Sequence, residues 1–368
     1  MIPLVDLKAQ HGAIAADVER GFARVIDSTA FILGDEVSAF EQAFAAFCGV
    51  AYCVGVANGT DALEVIVRGL GIGPGDEVLV PVNTFIATAL AVVRAGATPV
   101  FVEVDAETAL IDPKRVLSRV GAQTKALLPV HLYGQMAPME ELSTIAVTAG
   151  IVLIEDAAQA QGAVRNGKGV GGVGVAAGTS FYPGKNLGAY GDGGAVLTNS
   201  EPLAEKMRAL RNYGSVVKYH HPEIGFNTRL DALQAVVLSA KLKHLAEWNR
   251  ARRAAAQRYD ELLAEVPEVI LPRTLAGNEH VWHLYVVRVP RRDAVLRSLN
   301  AAGVGAGVHY PLPIHLQGAF KHLGYQRGDF PIAEALADTV LSLPLFPEIT
   351  VEQQRFVVTQ LQKALHAD

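Results

Sequence analysis

Apolar residues in the first two thirds of the chain come in short unbroken runs, separated by stretches of helical spacing. Residues 51–57 (AYCVGVA) form such a run and predict a buried strand. Residues 60–70 (TDALEVIVRGL) place Ala62, Leu63, Ile66, Val67 and Leu70 on one helical face. The alternation continues with strands over 77–80, 98–104, 124–130 and 151–154, and helices over 85–95, 112–120 and 138–149. Short apolar strands alternating with helices predict a mostly parallel sheet covered on both faces. From 228 to 267 the pattern is helical and charged. A strand over 281–289 and helices over 291–301, 331–340 and 350–365 then predict a smaller α+β unit. No Pro/Gly linker marks the junction near 250, so a helix is expected to bridge a large domain, 1–250, and a small one, 251–368.

Composition narrows the partners. The 368 residues are half hydrophobic, enough for a large core, and the net charge of −5 offers no basic field for nucleic acid or an acidic membrane. No apolar run reaches the ~18 residues needed to span a bilayer. Cys48 and Cys53 lack a disulfide or zinc pattern and read as small core residues of a reduced compartment. The opening MIPLVDLKAQ carries Asp6 and Lys8 and no signal-peptide core, so a cytoplasmic location is expected.

Two glycine patterns mislead. GVGGVG at 169–174 has the dinucleotide spacing but neither follows a strand nor opens a helix. GAVRNGKG at 162–169 nearly matches a P-loop, but Gly169 stands where a magnesium-binding hydroxyl is needed. A hairpin turn at Asn166-Gly167 is expected instead.

Three segments carry chemistry. In ANGTDAL (57–63) a strand ends and Thr60 opens a helix, which is either a phosphate site or an ordinary N-cap. IVLIEDAAQAQG (151–162) releases Glu155, Asp156 and Gln159 at a strand's C-terminal end, where ligands bind in such sheets. TSFYPGKNLGAYGDGGAV (179–196) sets one cation, Lys185, among Gly184, Gly188, Gly191, Gly193 and Gly194. Together they fit pyridoxal 5′-phosphate. The lysine bonds the aldehyde carbon, an acid keeps the pyridine nitrogen protonated, and the glycines admit the cofactor close to the backbone.

These segments resemble the DegT/DnrJ/EryC1/StrS family of sugar aminotransferases. SFYPGKNLGAYGDGGAV, ANGTDAL, IEDAAQAQGA, LRNYGS, GFNTRLDALQA and VHYPLPIHLQ all match in order, and the resemblance runs from IPLVDLKAQ to SLPLFPEIT. It implies an aspartate-aminotransferase-like α/β fold (fold type I). It implies that Lys185 is the cofactor-bonding lysine, Asp156 the pyridinium partner and Gln159 the contact to the ring hydroxyl. Gly59, Thr60 and Ser180 would hold the phosphate, and Phe85 would stack on the ring. Asn227 would reach a phosphate across a homodimer interface, with Arg229 beside it positioning substrate. His309, Tyr310 and His315 would meet the nucleotide sugar; two prolines between the histidines argue against a metal site.

The branch most resembled aminates C3 of dTDP-3-keto-6-deoxyhexoses with L-glutamate as donor; a UDP-3-keto-glucuronate branch is close. PLP-dependent sugar dehydratases of this kind carry His at the position of Lys185. A non-enzymatic relative would have lost site residues, and all the expected positions are present.

Overall fold

The structure, a computed structural model, describes residues 1–367. Seven strands form the central sheet: β1 (Tyr52–Val56), β2 (Glu77–Pro81), β3 (Thr98–Val102), β4 (Thr124–Leu127), β5 (Val152–Asp156), β6 (Ala176–Ser180) and β7 (Gly194–Thr198). Their order is β1-β7-β6-β5-β4-β2-β3. All neighbours are parallel except β7, which runs antiparallel to β1 and β6. The mostly parallel sheet read from the apolar runs is therefore present.

Local chemistry sets the helix ends. Asn58 caps the helix Gly59–Gly69 by accepting the Asp61 N–H at 2.8 Å. Gly150, in the left-handed region at φ 67°, ends the helix Met139–Ala149. The helix expected over 112–120 is one turn, Pro113–Val116, continued as a 3₁₀ turn. Asn166 and Gly167 both have positive φ, 47° and 79°, between the paired strands 164–165 and 168–169, so the hairpin turn forms as expected.

A 32-residue helix, Ala232–Leu263, runs through position 250. Ala235, Val236 and Leu238 near its start pack with the sheet's core. Ala255, Tyr259 and Leu263 near its end pack with Tyr285, Leu341 and Val357. In that second unit strands 285–288 and 340–343 pair antiparallel. The strand expected over 281–289 is shorter because residues 281 and 284 bond instead to the turn after β4: Val281 N–H to Gly134 O, and Leu284 N–H to Tyr133 O. Cys48 and Cys53 are free and buried. Among the described residues no helix is long and apolar enough to cross a membrane.

Candidate active site

The C-terminal ends of β5 and β6 and the start of the Gly59 helix converge on one cavity of about 780 Å³. Pairing in register, Asp156 on β5 lies beside Gly178 on β6, two residues before Ser180. After Ser180 the chain turns into the segment bearing Lys185. That turn is pinned on both sides of the lysine: Lys185 N–H donates to Tyr182 O at 2.8 Å. Asn186 Nδ2 donates to Asn249 Oδ1 and Val281 O, each at 2.9 Å.

The helix start is pressed against β6. A Cβ on Gly59 would lie 2.6 Å from Ser180 Cβ, so only glycine permits this approach. Asn58 occupies the Asp61 N–H, and Gly59 and Thr60 line the cavity at the electropositive end of the helix.

Asp156 is buried. Its carboxylate accepts the Thr88 hydroxyl at 2.8 Å and the Ala158 N–H at 3.1 Å. Burial raises its pKa; Thr88, Ala158 and Lys185 pull the other way without cancelling the rise. Lys185 is partly open to the cavity, and desolvation brings its ammonium down to about 8, against the attraction of Asp156. Burial, reinforced by Lys185, lowers the His309 imidazole to about 4, so it is neutral at neutral pH. Its Nδ1 lies 2.8 Å from Ser342 Oγ.

Nine of the twelve site residues expected from the sequence line this cavity: Gly59, Thr60, Phe85, Asp156, Gln159, Ser180, Lys185, His309 and Tyr310. Phe85 is 54% exposed, and its ring centroid is 5.6 Å from that of Tyr310. Three residues are not brought there. His315 is buried elsewhere, its Nε2 bonded to Glu334 at 3.0 Å and its ring against Phe330. Asn227 is exposed and pairs with Asn212. Arg229 donates to Asn212 Oδ1 at 2.8 Å and lies over the Tyr213 ring.

Glu155, released from the same strand end, faces away from Asp156. It accepts N–H groups of Gly171, Val173 and Gly174 and the ring of His131 at 2.9 Å. His131 Nδ1 accepts the Ala137 N–H, so Nε2 carries the proton given to Glu155. Burial raises the Glu155 carboxyl and these bonds outweigh it, holding it below the usual range. GVGGVG thus cradles the protein's own carboxylate.

Sequence reasoning missed Thr88 and His283, both on the cavity wall. Thr84 and Thr88, four residues apart where an apolar helical segment begins, were the available signal for the first. His283 carried none.

The donor set fits pyridoxal 5′-phosphate: an acid for a ring N–H, an amine for an aldehyde, an amide for a phenolic oxygen and a helix start for a phosphate. Residues 13–362 match the DegT/DnrJ/EryC1/StrS aminotransferase family. The chain is 46% identical over 362 residues to the dTDP-3-amino-3,4,6-trideoxy-alpha-D-glucose transaminase of Streptomyces venezuelae, covering 98% of this chain and 96% of that one. It is 46% identical over 365 residues to the UDP-N-acetyl-3-dehydro-alpha-D-glucosamine 3-aminotransferase of Acidithiobacillus ferrooxidans, covering 99% and 98%. It is also 47% identical over 362 residues to a protein of Geobacillus stearothermophilus named a pleiotropic regulatory protein, covering 98% and 97%. The fold superimposes on S. venezuelae DesV, solved in complex with a ketimine intermediate, with a TM-score of 0.97 at 46% identity, covering 100% and 99% of the two chains. With the family matched over nearly all its length and the cavity carrying the lysine and the acid, this chain belongs to the DegT/DnrJ/EryC1/StrS aminotransferase family and is an aminotransferase.

Proposed function

We propose that the chain uses pyridoxal 5′-phosphate to move an amino group from L-glutamate to the C3 keto carbon of a dTDP-linked keto-6-deoxyhexose. The observation that carries this reading is the convergence of Lys185, Asp156 and the Gly59 helix start on one cavity. The cofactor, when bound, supplies an electron sink for negative charge at the donor's Cα.

The chain's own residues do the rest. Gly59, Thr60 and Ser180 bind the phosphate. Asp156 accepts the ring N–H and keeps the nitrogen protonated; each unit of pKa it adds there is about 1.4 kcal/mol. Lys185 Nζ takes the α-proton of glutamate. With its pKa brought to about 8, a useful fraction is neutral at physiological pH, and a positioned base typically contributes about 10²–10⁴-fold. Phe85 would cover one face of the ring, and His309 and Tyr310 would meet the sugar. Asn227 and Arg229, which stay outside the cavity of one protomer, complete the site from a second copy in a homodimer.

A second reading, the same chemistry on a UDP-linked 3-keto sugar, draws on the equally similar A. ferrooxidans relative. The test is the absorption spectrum of the purified protein before and after L-glutamate, followed by dTDP- and UDP-linked 3-keto sugars with product mass as readout. A yellow band that glutamate converts, and an amine product from a dTDP sugar, is expected. A protein that takes up no cofactor would refute the assignment of Lys185.

A further inference from the structure

Tyr133 belongs to none of the motifs, yet it touches both walls of the cavity. It lies in the 3₁₀ turn Leu132–Gly134 with φ 60°, a conformation a tyrosine rarely adopts. Gly134 follows at φ 111°, where a Cβ would come within 2.7 Å of His283 N. The turn is therefore seated directly on the segment 281–284. From there the Tyr133 N–H donates to Gln159 Oε1 at 2.6 Å, and its hydroxyl donates to His309 O. Gln159 Nε2 in turn donates to the Tyr310 hydroxyl at 3.0 Å.

Counting donors fixes the orientation of the whole set. A glutamine amide has one acceptor oxygen and two N–H donors. With the oxygen held by Tyr133 N–H, the NH₂ must face Tyr310, and its second N–H is left for the cavity. The Tyr310 hydroxyl, already accepting, keeps its own proton to donate. Both groups then present donors, which suits ligand oxygens: a phenolic oxygen and the hydroxyl or keto oxygens of a sugar.

We propose that Tyr133 is a positioning residue for the sugar half of the reaction, bridging Gln159 to the His309–Tyr310 segment so that both aim donors at an oxygen-bearing ligand. The inference rests on the nucleotide-sugar reading above.

Tyr133→Phe removes only the hydroxyl. On the holoenzyme, three quantities are measured for this variant, Tyr310→Phe and the double variant. They are the rate of the spectral change with L-glutamate, KM for a dTDP-linked 3-keto-6-deoxyhexose, and the calorimetric Kd of a dTDP-linked 3-amino-6-deoxyhexose. Tyr133→Phe should raise sugar KM and Kd about tenfold, the scale of one buried hydrogen bond, with the glutamate rate falling less than threefold. The double variant should be no worse than Tyr310→Phe alone, because Tyr133 acts through the segment that carries Tyr310. Additive losses, or equal losses in both halves, overturn the proposal. Should Tyr133→Phe not fold, Gln159→Glu takes its place: it still accepts from Tyr133 but offers Tyr310 no donor, and an unchanged sugar Kd would overturn the proposal equally. A wild type that takes the amine but aminates no sugar overturns the functional reading, and this inference with it. Turnover with additive variants overturns this inference alone.

Discussion

Thr88 donates its hydroxyl proton to Asp156 Oδ2 at 2.8 Å, tying the helix Ile86–Arg94 to the end of β5. The threonine has one proton, so with Asp156 receiving it, the contact to Thr84 Oγ1 at 2.9 Å must be donated by Thr84. Two hydroxyls thus line up behind the carboxylate and favour its charged form, against a burial that disfavours it.

Thr88→Val keeps the shape and removes that support. The bond favours the ionised carboxylate, so its loss moves the Asp156 pKa further up, and the group loses its charge at a higher pH. The acid limb of cofactor retention, followed by absorbance of the bound cofactor between pH 4.5 and 8, should move up by about one unit. An unmoved limb would mean that Thr88 does not hold the charged form.

The sheet was legible where strands are apolar and bulky. VLIED and EVLVP stand out between helices, but β6 (AAGTS) is built of small residues and β7 (GAVLT) follows directly on a glycine-rich run, so neither shows an alternation to detect. In β6 packing dictates the small size: a Cβ on Gly178 would meet Leu63 Cδ2 at 2.6 Å. The site's motif residues were legible because glycines, a lysine and acids at element ends are rare combinations. His315 was named through the resemblance, from a segment whose two prolines read as a loop, and the structure buries it instead. Its actual partner, Glu334, is 19 residues on and announces nothing in sequence.

Lys185→Ala should abolish turnover, with a loss of at least about 10⁴-fold, since both the covalent attachment and the proton carrier are gone. Asp156→Ala should retain less activity than Gln159→Ala. The acid opposes a full charge on the ring nitrogen, whereas the amide contributes one neutral hydrogen bond, roughly half as strong. Single-turnover absorbance with L-glutamate ranks the two; the reverse order would count against the pyridinium role.

Gly194 does not line the cavity, but a Cβ there would stand 2.4 Å from the carbonyl carbon of Asn58, the cap of the phosphate-side helix. Gly194→Ala must therefore displace that helix start. Cofactor affinity, measured by equilibrium dialysis, should fall tenfold or more, which is about 1.4 kcal/mol. The fold should persist, because β7 pairs on both sides through five registered residues with β1 and four with β6. Undiminished affinity would show that the helix start does not hold the phosphate.

Lys241 gives a test of electrostatics away from the chemistry. It is 1% exposed in the middle of the helix Ala232–Leu263, its Nζ lies 5.1 Å from the Tyr190 ring centroid, and among the described residues it forms no ion pair with a carboxylate. Burial brings its ammonium from an ordinary 10.5 down to about 8. Below pH 8 the folded protein bears the full penalty of a desolvated charge. Between about 8 and 10.5 the folded state sheds a proton that the unfolded chain still holds, so the penalty fades as pH rises. Lys241→Met should accordingly be more stable than the wild type at pH 7, with the difference shrinking toward pH 10. The buried thiols of Cys48 and Cys53 have pKa values raised by burial, so they lower stability over the upper part of the same range in both proteins. The difference in urea midpoint between the two proteins, rather than either curve alone, isolates the lysine. A difference that grew with pH would mean that this ammonium finds a compensating partner in the folded protein.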